Sequence, residues 1–227
     1  HPPGKSTRKR CYLCQDAGRK GDPGNHWAPD HNPHLAAMLE SIDDGVGMIL
    51  EKLKELKLDH NTLVVFSSDN GGESQVTSNA PLRGGKSSLY EGGIREPFII
   101  SYPSVVKPGV CATPVISTDF YPTLLELCGL PDDKEADGVS IVPLLRNPKA
   151  KWERPAIMTY QRGNHAIRSN RWRYIRYSDG SEELYDHESD PNEWSNLAED
   201  PHQKEVMAKH RKWLPKEEAS PVPDLRK

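Results

Sequence analysis

The chain has 227 residues, of which 35% are hydrophobic and 28% charged, and its formal net charge is -3. This length suits one medium domain, or one domain with a smaller second one. No apolar run approaches the roughly 20 residues that span a bilayer, so the sequence predicts no membrane span, and the lack of a basic excess argues against a nucleic-acid partner.

The first half of the chain predicts a helix followed by short strands. From Pro33 to about Leu56, apolar residues recur at spacings of three and four, which is typical of an amphipathic helix. Residues 62–67 form a short run of apolar and β-branched side chains, which favours a strand buried on both faces of a parallel sheet. A second apolar strand is predicted over residues 97–102. This order indicates an α/β core.

The second half changes character. Residues 118–128 still predict a helix, but later segments are short, aromatic and β-branched, with a hairpin signal at residues 178–181. A polar helix is predicted from residue 201 to about residue 214. We therefore expect two domains, an α/β core at residues 1–150 and a small antiparallel sheet packed by a helix at residues 151–227.

Cys11 and Cys14 form a C-x-x-C pair in a basic, glycine-rich segment. With a nearby histidine such as His26 the pair would make part of a zinc site. A loop disulfide or two unpaired thiols are the favoured alternative, because a structural zinc site needs four ligands and no second C-x-x-C follows.

The strongest chemical signal is the run S-S-D-N-G-G directly after the first predicted strand. In open α/β sheets, ligands bind at the carboxyl ends of strands. Asp69 and Asn70 place a carboxylate and an amide oxygen there, and such oxygens suit a hard cation such as Ca²⁺. A turn that merely ends the strand is the alternative, because D-N-G is common in turns.

A second signal lies in the run L-R-G-G-K-S-S-L-Y-E-G-G-I-R-E-P, where four glycines surround Lys86. A glycine-rich loop that holds a lysine forms a suitable cradle for an oxyanion. The spacing does not match a P-loop. A solvated basic loop remains the alternative.

Together these motifs resemble the C-terminal half of a type I, formylglycine-dependent sulfatase, a family of the alkaline phosphatase superfamily. The resemblance covers about residues 33–215 and extends to E-L-Y-D-H-E-S-D-P-N-E-W-S-N-L-A, from Glu183 to Ala198. It implies an α/β fold, with an alkaline-phosphatase-like mixed sheet flanked by helices, and a small C-terminal antiparallel sheet. It also implies hydrolysis of sulfate monoesters, with sulfated carbohydrates as one substrate class.

The resemblance implies roles for five residues. Asp69 and Asn70 match ligands of one Ca²⁺ ion, and Lys86 matches the lysine that contacts the sulfate and the leaving oxygen. His1 matches the catalytic histidine that hydrogen bonds to the ester oxygen. His165 is a candidate for substrate binding, and a surface histidine of a hairpin is the alternative.

The chain departs from the family pattern in two respects. It contains no C/S-x-P/A-x-R motif, whose Cys or Ser is converted to formylglycine, and no second pair of Asp ligands. We therefore expect a fragment that lacks the N-terminal half, is inactive by itself and leaves apolar faces uncovered. The signal peptide of a periplasmic or secreted enzyme, the localisation that the family implies, is not present in this sequence.

Two other functions stay open. A phosphonate or phosphodiester hydrolase of the same superfamily would use the same site, and a non-catalytic remnant would keep only the anion site. Related enzymes with two zinc ions usually show Asp-His where this chain has Asp69-Asn70, which favours a single Ca²⁺ ion.

Overall fold

The computed structural model describes residues 32–220, which fall into two compact units divided in sequence between Val106 and Lys107. His1, Cys11 and Cys14 lie outside the described residues, so their proposed roles stay predictions.

The first unit begins with helix α1, Pro33–Glu55, as its periodicity predicts. The Asn32 side chain caps it, because Oδ1 accepts hydrogen bonds from the backbone N–H groups of His34 and Leu35. Much of its apolar stripe is exposed, as at Met38, Leu39, Ile42, Met48, Ile49 and Leu50. The helix is therefore amphipathic without burying that stripe within this unit.

The prediction of a buried parallel strand is wrong for the described part of the chain. Strand β1, Val64–Ser67, pairs antiparallel with strand β2, Phe98–Ser101, and Val65 and Phe66 are exposed. The reason lies in the loop between them. The Gly71 N–H donates to the Gly93 carbonyl oxygen (3.0 Å), so the chain returns to the end of β1 before β2 begins, and β2 runs in the opposite direction.

Helix α2, Glu91–Ile94, is a single turn inside that loop. The second unit contributes helix α3, Phe120–Leu127, within the predicted helical segment, and a short helix α4, Val142–Arg146. Asp119, just before α3, is buried and organises its surroundings: its carboxylate accepts from the backbone N–H groups of Ile116 and Val139 and pairs with Arg154 at 2.8 Å.

A four-stranded antiparallel sheet of order β3-β4-β5-β6 forms the rest of the second unit. Its strands are β3 Ala156–Thr159, β4 His165–Arg168, β5 Trp172–Arg176 and β6 Glu182–Asp186. Helix α5, Lys204–Arg211, follows a short 3₁₀ turn that begins at Pro201. The sheet and α5 share a core, which consists of Ile167, Tyr174, Leu184 and Met207. This meander and the helix that closes it agree with the sequence prediction.

None of the helices in the described range is long and apolar enough to cross a membrane.

Candidate functional site

The S-S-D-N-G-G run forms the loop that leaves β1. Asp69 is exposed and Asn70 is half-buried. The Ser68 hydroxyl donates to the Asn70 backbone carbonyl oxygen at 3.0 Å, so a local turn holds the loop. The side chains of Asp69 and Asn70 therefore extend from a fixed backbone at the carboxyl end of a strand, as the sequence predicts.

Two glycine pairs, Gly71–Gly72 and Gly92–Gly93, lie in close backbone contact at this point. Besides the hydrogen bond between Gly71 and Gly93, a Cβ atom added at Gly71 would lie 1.9 Å from the Gly92 carbonyl oxygen. Contact this close is possible only where the residue has no side chain. The glycines thus let the D-N-G loop and the lysine loop approach at backbone distance.

Gly72 connects the two loops directly. Its N–H donates to Asn79 Oδ1 and its carbonyl oxygen accepts from Asn79 Nδ2, both at 2.9 Å. The same carbonyl oxygen accepts from the backbone N–H of Lys86 at 3.1 Å. Lys86 is exposed. Its backbone is therefore anchored two residues from the candidate metal ligand Asn70, while its ammonium group stays available.

Replacing Gly71 by alanine should destabilise the first unit by about 1–3 kcal/mol, the usual cost of overpacking. The added methyl group would meet the Gly92 carbonyl oxygen, which belongs to the backbone and cannot move aside as a flexible side chain can. Denaturant titration measures the effect. Gly45→Ala is the matched control, because Gly45 lies in α1 with nothing within 4 Å of an added Cβ, and this change should stabilise the helix slightly. Equal stabilities of the two variants would contradict the close backbone contact of Gly71 with Gly92.

Glu96 is a further carboxylate at this site. Burial raises the pKa of Glu96; hydrogen bonding to Ser68 opposes the rise, and the negative charge of Asp69 adds to it. Glu96 Oε1 is buried and has no hydrogen-bond partner. Glu96 therefore lies close enough to the D-N-G loop to be affected by Ser68 and Asp69, and carboxylate and amide oxygens are ligands that fit a hard cation.

The structure thus brings three of the predicted site residues, Asp69, Asn70 and Lys86, onto two loops in direct backbone contact. His165 belongs to the second unit. It lies on β4 and is buried, with Nδ1 2.9 Å from the Thr159 hydroxyl and Nε2 3.2 Å from Glu218 Oε1. It is therefore not a freely exposed histidine of a hairpin.

Sequence reasoning missed the roles of Asn79, Glu96 and Glu218. Asn79 lies in a polar loop, and no local pattern indicates that its side chain would bind the backbone of Gly72. Glu96 lies inside the R-E-P run, so the motif contains it without revealing its closeness to Asp69. Glu218 contacts a residue 53 positions away, and no local pattern can show that.

Family models match most of the chain. The model described as Sulfatase matches residues 5–130, and the model described as N-sulphoglucosamine sulphohydrolase, C-terminal, matches residues 85–220. A sulfatase from Formosa agariphila is 34% identical over 187 residues, which cover 81% of this chain and 36% of the relative.

Solved structures agree with the family models. Ps i-CgsB, in complex with k-i-k-neocarrahexaose, aligns with a TM-score of 0.69 and 31% identity over 80% of this chain and 42% of its own. The phosphonate monoester hydrolase SpPMH from Silicibacter pomeroyi aligns with a TM-score of 0.61 and 25% identity, over 75% and 37% respectively.

The fold is therefore alkaline-phosphatase-like in the part that these residues cover, as the sequence predicts. The chain belongs to the sulfatase family of the alkaline phosphatase superfamily, and it spans between 36% and 42% of the length of these three proteins.

Proposed function

We propose that this chain supplies the sulfate-binding lysine and two metal ligands of a sulfatase that hydrolyses sulfate monoesters. The observation that carries the proposal is the anchoring of Lys86 on Gly72, directly beside the D-N-G loop. The nucleophile, a formylglycine, and the remaining ligands come from polypeptide that precedes these residues in the enzyme.

Lys86 acts on the sulfate group itself. During cleavage, negative charge grows on the bridging oxygen and on the sulfuryl oxygens, and a fixed cation beside them lowers the barrier. An ammonium group suits this task because it is a compact charge with three donors that can turn toward several oxygens. His1 is proposed to hydrogen bond to the ester oxygen and so to assist the departure of the alcohol.

Asp69 and Asn70 would hold Ca²⁺, as their oxygen atoms fit a hard cation. When bound, the ion supplies positive charge that stabilises the sulfate oxygens. Asp69 keeps its carboxylate exposed at the loop tip, and Glu96 is a second carboxyl group close enough for the two charges to repel each other. A cation bound between them would relieve that repulsion.

Sulfated saccharides are the proposed substrate class. The support is the similarity to Ps i-CgsB, whose structure holds a neocarrahexaose.

We also propose the division into a core at residues 1–150 and a subdomain at residues 151–227, because the four-stranded sheet begins at Ala156. A periplasmic or secreted location is proposed from the family.

The test uses the complete enzyme, which joins this chain to the segment with the nucleophile. We expect it to release sulfate from an aryl sulfate much faster than phosphate from the matching aryl phosphate. A calcium chelator should lower the rate several-fold, and added Ca²⁺ should restore it. If the enzyme releases no sulfate, the proposed sulfatase activity is wrong. If the chelator leaves the rate unchanged, the proposed Ca²⁺ site is wrong.

A phosphonate monoester hydrolase is the second candidate, and the similarity to SpPMH favours it. The two functions share the lysine and the metal site but differ in the charge and shape of the ester. Faster turnover of an aryl phosphonate monoester than of the aryl sulfate would select this candidate.

A further inference from the structure

The connection between β3 and β4, together with the first residue of β4, carries three groups that lie around one carboxylate. The Gly163 N–H donates to Glu218 Oε2 at 2.8 Å, and His165 Nε2 lies 3.2 Å from Glu218 Oε1. Arg162 Nε lies 4.0 Å from Oε2. Each carboxylate oxygen thus faces its own donor, with a cation beside one of them, and this arrangement is typical of a site for an oxyanion.

The donors are fixed before any anion arrives. Gly163 has φ 80°, a conformation that favours glycine, and an added Cβ there would lie 2.8 Å from Ser178 Cβ. The Asn164 side chain accepts from the Ser178 N–H at 3.2 Å. The neighbouring turn therefore holds the loop, and the Gly163 N–H keeps its direction without Glu218.

His165 is fixed as well. Its side chain is only 5% exposed, and Nδ1 contacts the Thr159 hydroxyl at 2.9 Å. Because an ionised carboxylate only accepts hydrogen bonds, Nε2 carries the proton that faces Glu218. If Glu218 left, a buried N–H would lose its partner, which is costly unless another acceptor replaces it.

Glu218, in contrast, is weakly held by the rest of the molecule. It belongs to residues 215–220, which have no regular secondary structure. Within the described range, the hydrogen bonds of this segment are those that the Glu218 carboxylate makes. The hydrogen bonds from His165 and from the Gly163 N–H, with the nearby Arg162 charge, lower the pKa of Glu218, so it is an anion at neutral pH.

We propose that Arg162, the Gly163 N–H and His165 form an anion-binding site for a sulfate or carboxylate group of a ligand, and that Glu218 is a tethered occupant which the ligand displaces. A carboxylate held on the same chain competes at a high effective concentration. The site therefore binds free anions weakly until Glu218 leaves. That the ligand is a sulfated or acidic saccharide rests on the proposed function; the anion site itself does not.

The test follows binding directly in the 227-residue chain, labelled with ¹⁵N. Sodium sulfate and sodium acetate are titrated at constant ionic strength, with sodium chloride as the filler, while the Gly163 amide and the His165 imidazole resonances are recorded. If Glu218 occupies the site nine-tenths of the time, Glu218→Gln should lower the apparent Kd about tenfold. Glu217→Gln is the matched control. Glu217 is exposed, and its substitution removes the same charge from the same segment.

Saturable shifts of both resonances, at about tenfold lower anion concentration in Glu218→Gln than in the wild type and in Glu217→Gln, support the proposal. Sulfate and acetate then tell whether the site prefers a sulfate or a carboxylate group. Equal affinities in all three proteins, equal shifts with chloride, or saturation that leaves Gly163 and His165 unmoved would overturn it. Because no turnover is measured, failure here differs from failure of the sulfatase assay.

Discussion

Replacing Lys86 by alanine should lower kcat of the complete enzyme by about 10²-fold or more, the scale for losing one preorganised electrostatic partner. The loop itself should not change, because its anchor is the backbone N–H of Lys86 on the Gly72 carbonyl oxygen, and alanine retains that N–H. Steady-state kinetics on an aryl sulfate measure the effect, together with a thermal melt to show that stability is preserved.

Two further variants sharpen this experiment. Lys107→Ala removes another exposed lysine and should leave kcat unchanged. Lys86→Arg keeps the charge but replaces a compact ammonium by a planar guanidinium, so it should recover only part of the activity. If Lys86→Ala turns over aryl sulfate as fast as Lys107→Ala, Lys86 has no role in stabilising the sulfate oxygens.

Replacing Glu193 by alanine should destabilise the second unit by about 3–5 kcal/mol, the usual cost of removing one partner of a buried ion pair. Glu193 is 0% exposed and Arg173 is 1% exposed, and Arg173 Nε lies 2.5 Å from Glu193 Oε1. His187 Nε2 lies 3.0 Å from the same oxygen, and its Nδ1 accepts from Arg168. The change therefore takes a carboxylate away from two buried partners at once.

Denaturant titration of the 227-residue chain measures the free energy of unfolding. Glu188→Ala is the control, because Glu188 is 66% exposed and pairs with Arg171 at the surface, where such pairs contribute about 0–1 kcal/mol. Glu193→Gln, which keeps shape and an acceptor, should fall between the two. A loss below about 1 kcal/mol for Glu193→Ala would show that the buried cluster does not hold the unit together.

Hydrogen bonds to the backbone explain another part of the E-L-Y-D-H-E-S-D-P-N-E-W-S-N-L-A run. Asp190 Oδ2 accepts from the Ser195 N–H at 2.7 Å, and Asn196 Oδ1 accepts from the N–H groups of Leu184 and Ala198, both at 2.9 Å. These polar residues satisfy the backbone of a tight loop against β6. The run that carried the family resemblance in this part of the chain is thus structural in the second unit.

The sequence by itself determined the secondary structure and the kinds of residue at the candidate site. Helix α1, the α3 segment and the β3–β6 meander follow from apolar periodicity and turn residues, because these patterns act over a few neighbouring residues. The D-N-G and G-G-K runs likewise indicated a cation and an oxyanion, since those preferences belong to the side chains themselves.

Only the tertiary structure decided which distant groups meet. β1 was expected in a parallel sheet, yet the contact between Gly71 and Gly93 turns the chain back and makes the pair antiparallel. Glu218 reaches His165 across 53 residues. Such contacts depend on packing and on hydrogen bonds between segments far apart in sequence, and the local preferences of the residues involved do not encode them.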